Sequence, residues 1–239
     1  MVNYLYSLTV GLKMIFCFFQ VGDVIFPELL VKSIRKYIPN AYIIQSTDIK
    51  TKAICGVDKI YRYDGDISNL MTFRLESNAN IDLLGQTIFL DTDMLVLRNF
   101  TLANFIDHDV VLCEREFDIK AIVNTKFNGM NMTMYENKTL KEAWPFLGCL
   151  NIVKDKSFWK VCSEILHALD PQFHFWYGDQ EAIKRFTQKN PSLNYGYARE
   201  SEYACLPEYI KGNEFPLIAH FKGHHRKDLM IKMASELFN

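Results

Sequence analysis

Residues 87–97 read Thr-Ile-Phe-Leu-Asp-Thr-Asp-Met-Leu-Val-Leu. An apolar run meets two carboxylates spaced two apart, and a second apolar run follows. A strand covered on both faces carries such a run. It cannot bury the two aspartates unpaired, because a buried lone carboxylate is very costly. The reading is a strand that ends at Leu90 and delivers Asp91 and Asp93 beyond the sheet. In extended chain, side chains two apart point the same way. Two hard oxygen ligands side by side suit Mg²⁺ or Mn²⁺, which keep positions open for substrate phosphates. A solvated turn is the competing use of the same spacing.

Three further clusters could do chemistry. His220 ends the apolar run Pro216-Leu-Ile-Ala. It is either a satisfied core histidine or, beside an aspartate pair, a third metal ligand. Gly223 follows, with Lys222, Arg226 and Lys227 around it. A glycine lets backbone approach a ligand and the cations neutralise phosphate, unless this is only a solvated basic segment. Gly178-Asp179-Gln180 follows the aromatic run Phe173-His-Phe-Trp-Tyr177. Asp179 could cap a helix, and the aromatics either stack on sugar rings or fill a core.

The elements that must position these groups alternate strand and helix. Met14–Gln20 reads as a buried strand, and Gly22-Asp23 turns the chain. A helix then starts near Pro27, with Leu29, Leu30, Ile34 and Ile38 as its stripe. Ala41–Gln45 and Asp58–Tyr63 are the next strands, giving β-α-β with parallel pairing. Residues 68–80 read as a helix, with Arg74 either pointing inward toward a site or snorkelling at the edge of its apolar face. After the Asp91 strand come a short connection and helix over 96–105, then a strand at Asp109–Glu114. Residues 117–143 are irregular, as a functional or mobile insertion would be. Phe146–Lys154 reads as a strand broken at Gly148, Ser157–Leu169 as an amphipathic helix, and 181–186 as a further helix. The fold class is α/β: one domain over residues 1–239, with a mixed, mostly parallel central sheet flanked by helices.

With 239 residues, 49% of them hydrophobic, the chain has material for one large domain. A net charge of −1 without a basic block gives no footprint for nucleic acid. Six cysteines without a Cys-x-x-Cys pair read as buried thiols of a reducing, cytoplasmic compartment. Residues 4–22 are largely apolar, but Lys13 interrupts them and no secretory cleavage site follows. The expectation is a short leader at 1–12 followed by a core strand, not a membrane span.

In this order, the features resemble GT-A-fold (Rossmann-like) nucleotide-sugar glycosyltransferases. They are most like glycosyltransferase family eight, the glycogenin and lipopolysaccharide galactosyltransferase type. The resemblance spans Met14 to Lys227. It rests on the β-α-β unit, Phe-Leu-Asp91-Thr-Asp93 and the strand around Gly148. Asp179-Gln180 and His220-x-x-Gly223-x-x-Arg226 complete it, with Arg226 where the family has lysine and Lys227 next to it. It implies a sugar moved from a UDP-sugar to a hydroxyl acceptor on a glycan or protein, with retention favoured. Asp91, Asp93 and His220 would hold Mn²⁺ (or Mg²⁺). Thr92, Gly223, Arg226 and Lys227 would meet the nucleotide, with Asp91 shared between metal and ribose. Phe18, Gln20 and Arg74 would hold the nucleoside, and Asp179 and Gln180 would lie beside the anomeric carbon. The 117–143 insertion would face the acceptor. One departure is Phe146-Leu147 before Gly148, where the family carries Asn and a small residue. It leaves the sugar's identity open.

Two rival classes remain. Haloacid-dehalogenase-type phosphatases also place Asp-x-Asp after an apolar strand. They want it near the N-terminus and want Thr or Val two residues on, where this chain has Leu95. A non-catalytic sugar-nucleotide-binding module would not need Asp91, Asp93 and His220 together.

Overall fold

A computed structural model describes residues 13–126, 130–212 and 214–238. The leader expected at 1–12 lies outside these residues. The chain opens β1 (Ile15–Gln20), α1 (Ile25–Tyr37), β2 (Tyr42–Thr47), β3 (Lys59–Arg62), α2 (Leu70–Ala79) and β4 (Thr87–Leu90). It continues with β5 (Met94–Val96), β6 (Val110–Glu114), α3 (Leu140–Ala143), β7 (Phe146–Val153), α4 (Ser157–His167) and α5 (Gly178–Lys189). It ends with β8 (Tyr195–Arg199), α6 (Glu200–Tyr203), β9 (Ile218–His220) and α7 (Lys227–Phe238).

Seven strands form the main sheet in the order β3-β2-β1-β4-β7-β6-β8. All pairings are parallel except those of β7, which runs against both β4 and β6. From β1 the chain builds outward to β2 on one side and later to β4 on the other. That reversal opens a crevice beyond the carboxyl ends of the strands, where ligands bind in open α/β sheets.

Alternation along the strands assigns the two faces. Phe16, Phe18, Ile88 and Leu90 pack with Leu30, Val31 and Ile34 of α1. Cys17 and Phe89 pack with Leu75 of α2, Trp159 and Cys162 of α4, and Ile183 and Phe186 of α5. Each large side chain so buried contributes about 1.5–3 kcal/mol relative to an exposed one. A third cluster joins Leu95 and Leu97 to Ala219, Phe221 and Met230. It packs α7 onto a separate two-stranded sheet made by β5 and β9.

Several expectations change. The stretch after Asp93 forms β5 and then a 3₁₀ turn at Ala103–Phe105 in place of a helix. Gly148 does not break its strand. Instead Leu112 pairs with Asn151 and Cys113 with Leu147, so Gly148, Cys149 and Leu150 bulge away from β6. The described residues of 117–143 (117–126 and 130–143) are irregular but anchored: Ile122 bridges Thr139, Thr139 and Glu142 form a capping box on α3, and Tyr135 is buried. All six cysteines are free thiols, and five of them are buried. Among the described residues no helix is long and apolar enough to cross a membrane.

Candidate active site

The aspartate pair occupies the tight turn between β4 and β5. Leu90 lies opposite Leu150, and Asp91 N donates to Cys149 O at 2.9 Å. On the far side of the turn, Met94 pairs with His220, and Phe221 N donates to Asp93 O at 2.8 Å. The small β5–β9 sheet therefore fixes His220 against the turn. His220 Nε2 lies 3.4 Å from Asp93 Oδ1 and 4.0 Å from Asp91 Oδ2. Ligand atoms from all three residues lie within 4.8 Å of one another. Two hard carboxylate oxygens and one imidazole nitrogen converging so closely fit a divalent cation.

Burial favours the neutral Asp93 carboxyl, but His220 and then Lys227, with Nζ 2.5 Å from Oδ2, outweigh it and hold Asp93 well below the usual range. For His220, burial disfavours the charged ring, yet Cys149 and Asp93 beside it push its pKa well above the usual histidine value.

A cavity of about 400 Å³ opens next to this trio. Arg74 and Asp179 lie at its floor. Arg74 is buried and makes three contacts: Asp91 Oδ1 at 2.7 Å, Asp179 Oδ2 at 3.2 Å and Gly148 O at 2.9 Å. It links the metal-site carboxylate to the carboxylate of α5. Burial pushes the Asp179 carboxyl up, Arg74 opposes this, and Asp91 adds to it. Asp179 is not the cap of its helix; Tyr177 holds that position with φ 57°.

Two glycines make this packing possible. A Cβ on Gly148 would stand 2.1 Å from Asp179 Oδ2, and one on Gly178 would stand 2.0 Å from Phe173 O. Gln180 lines the cavity, and its Oε1 accepts from Arg115 Nη2 at 2.8 Å.

Asp91, Asp93, Arg74, Asp179, Gln180, His220 and Gly223 all reach the cavity. Thr92 is in the aspartate turn. Lys227 reaches Asp93 from the start of α7. Arg226 pairs with Glu208 and donates to Lys222 O, so its guanidinium is engaged, and it is not among the residues lining the cavity. Arg74, expected at the nucleoside, lines the cavity beside Asp91.

Two positions differ from expectation more sharply. Phe18 is 1% exposed and packed in the core with α1, because strand parity turns it onto the sheet face. Gln20 is also buried, bonded to Asp23 O and to Gln45. Neither lines the cavity.

Arg115 belongs to none of the sequence motifs. β6 runs parallel to β4, since both oppose β7. Its carboxyl end therefore emerges on the Asp91 edge of the sheet. A charged residue one step past such a strand is the available signal. Lys222, 3.7 Å from buried Glu200 Oε1, also lines the cavity.

By sequence, no protein-family model and no curated protein matches the chain. Solved structures do. The galactosyltransferase LgtC, in complex with donor and acceptor sugar analogs, aligns over 95% of this chain and 97% of its own. Its TM-score is 0.56 at 15% identity. A glycosyltransferase involved in glycosylation of the major capsid of PBCV-1 aligns over 93% and 99%, with TM-score 0.59 at 11% identity. An active-site mutant of LgtC aligns over 93% and 96%, with TM-score 0.56 at 14% identity. Alignment with these glycosyltransferases over nearly the whole length of both chains, together with the β3-β2-β1-β4 order and the aspartate turn at its switch point in this chain, gives this protein the GT-A fold.

Proposed function

We propose that the protein is a metal-dependent glycosyltransferase that moves a hexose-type sugar from a UDP-sugar to a hydroxyl acceptor on a glycan or protein, with retention of configuration. The observation that carries this reading is the convergence of Asp91, Asp93 and His220 beside a cavity floored by Arg74 and Asp179.

In this reading Asp91, Asp93 and His220 hold Mn²⁺ or Mg²⁺. A cation so held offsets the charge that grows on the leaving diphosphate. Lys227 and the Gly223 backbone add donors for the same phosphates, with Arg226 released from Glu208 to join them and Thr92 beside the nucleotide. Asp179 keeps a carboxylate near the sugar, where positive charge develops at the anomeric carbon. Gln180 lies next to it.

Retention is supported by the engagement of the two carboxylates of the first turn of α5, Asp179 and Glu181, either of which an inverting reaction would need free as a base. Asp179 Oδ2 is bound by Arg74, and Oδ1 accepts from Gln180 N at 2.8 Å. Glu181 is 2% exposed, faces Tyr135, Trp144 and Arg185, and does not line the cavity. Attack by the acceptor hydroxyl on the face the diphosphate leaves then needs no protein nucleophile.

The test is UDP release from a panel of UDP-sugars with Mn²⁺. Turnover with at least one donor is expected. Asp93→Asn and His220→Ala should each weaken Mn²⁺-dependent UDP binding by about tenfold or more. No turnover with any donor, together with no Mn²⁺-dependent UDP binding, refutes the proposal.

A further inference from the structure

Arg115 is 4% exposed, yet it lines the cavity. Its backbone N donates to Pro145 O at 2.9 Å and its Nε to Trp144 O at 2.9 Å. Its Nη2 donates to Gln180 Oε1 at 2.8 Å. Among the described residues no carboxylate lies within ion-pair distance of it. A buried guanidinium balanced only by neutral oxygens is costly, so its placement calls for a use.

A guanidinium is a donor only. The two ends of a glutamine amide are usually hard to tell apart, but here the partner settles them. Oε1 faces Arg115, and Nε2 is the end left for the cavity. The clamp behind this arrangement is rigid. Trp144 is fully buried, stacks on Tyr177 with ring centroids 4.4 Å apart and 10° between planes, and donates Nε1 to Glu181 at 3.2 Å. Glu181 also takes the Tyr135 hydroxyl and Arg185 Nε at 2.7 Å. Glu181 is the neighbour of Gln180 in the first turn of α5, so one network fixes both the guanidinium and the amide it holds.

We propose that Arg115 is a positioning residue for sugar transfer: it turns Gln180 so that the amide N–H₂, not the carbonyl, faces the reacting sugar. Gln180 then donates a hydrogen bond to a substrate oxygen and does not act as an oxygen nucleophile. This rests on the transferase reading above. The cation on Oε1 also withdraws electron density from the amide, which strengthens its N–H as a donor and weakens its oxygen as a base.

The experiment measures UDP release with Mn²⁺ and the UDP-hexose turned over fastest, with melting temperatures recorded for every variant. Arg115→Met should lower kcat by about tenfold or more while the donor KM stays within about threefold. Arg115→Lys, which restores a cationic donor, should recover at least about threefold of that loss. Gln180→Glu offers an acceptor where the reaction is held to need a donor. It should therefore lose as much kcat as Gln180→Ala, within about threefold.

A folded Arg115→Met enzyme with kcat within about twofold of wild type overturns the positioning role. A Gln180→Glu enzyme that keeps more than about a third of wild-type kcat overturns the donor role. If Arg115→Met fails to fold, the pair of Gln180 variants still decides the donor role, because Gln180 is only half-buried. Either result leaves the transferase assignment standing. That assignment falls, and this proposal with it, only if wild type neither turns over a UDP-sugar nor binds UDP with Mn²⁺.

Discussion

Gly148→Ala is the sharpest test of how the cavity floor is built. The new methyl would sit 2.1 Å from Asp179 Oδ2 and 2.7 Å from its Cγ. Ordinary contact begins near 3.4 Å, so the carboxylate must retreat by about 1.3 Å. Asp179 is 6% exposed and has little room behind it. Its bond to Arg74, at 3.2 Å, is the one that breaks. Overpacking of this kind costs about 1–3 kcal/mol. For a domain of this size that lowers Tm by about 2–4 °C per kcal/mol. Misplacing a reacting group by about 1 Å costs about a hundredfold in rate. The expectation is a folded protein, a fall in kcat for UDP release of about a hundredfold, and Mn²⁺–UDP affinity within about threefold of wild type. Steady-state kinetics with calorimetric binding and a thermal melt read all three. A kcat within about threefold of wild type would show that Asp179 need not rest on Gly148, and the assignment of the floor would fail.

Two further outcomes follow from the charges around the aspartate turn. His220 has a raised pKa, whereas a bound cation needs its ring neutral. Below that pKa each Mn²⁺ bound displaces one proton, so affinity should rise about tenfold per pH unit toward it and level off above it. Asp93 is held low and stays ionised across neutral pH, so it adds nothing to the slope. Calorimetry in buffers of different ionisation enthalpy reads the released proton, and a pH-independent affinity would count against His220 as a ligand. Lys227 Nζ sits 2.5 Å from Asp93 Oδ2, where it competes with a cation while supplying charge for phosphate. Lys227→Ala should leave Mn²⁺ binding equal or tighter and weaken UDP binding by about tenfold. Unchanged UDP affinity would remove Lys227 from the diphosphate site.

What the sequence by itself determined was local and periodic. Apolar runs broken by turn residues give the β-α-β order, and a carboxylate cannot follow Ile88-Phe89-Leu90 into a covered sheet, so the strand must end at Leu90. The same reasoning marked Asp179, Gln180 and Gly223 without saying where they would meet. Strand parity was also present in the sequence, and it places Phe18 in the core, against the nucleoside role that the resemblance implied.

Tertiary structure decided the partners. His220 reaches Asp93 because β9 pairs with β5, a contact between segments far apart in the chain with no local signature. Gly148 matters because α5 lays Asp179 on it, and no reading of the 146–154 strand alone contains that helix. Arg115 is one of 27 basic residues, and only the parallel run of β6 and β4 brings it to the Asp91 edge. Arg226 matched the position of a phosphate ligand and here pairs with Glu208, where the 224–226 turn comes against the 207–209 turn. Spacing along the chain fixes which faces a residue can present. Which group lies opposite it depends on the register and packing of distant elements, and here that pairing makes the site.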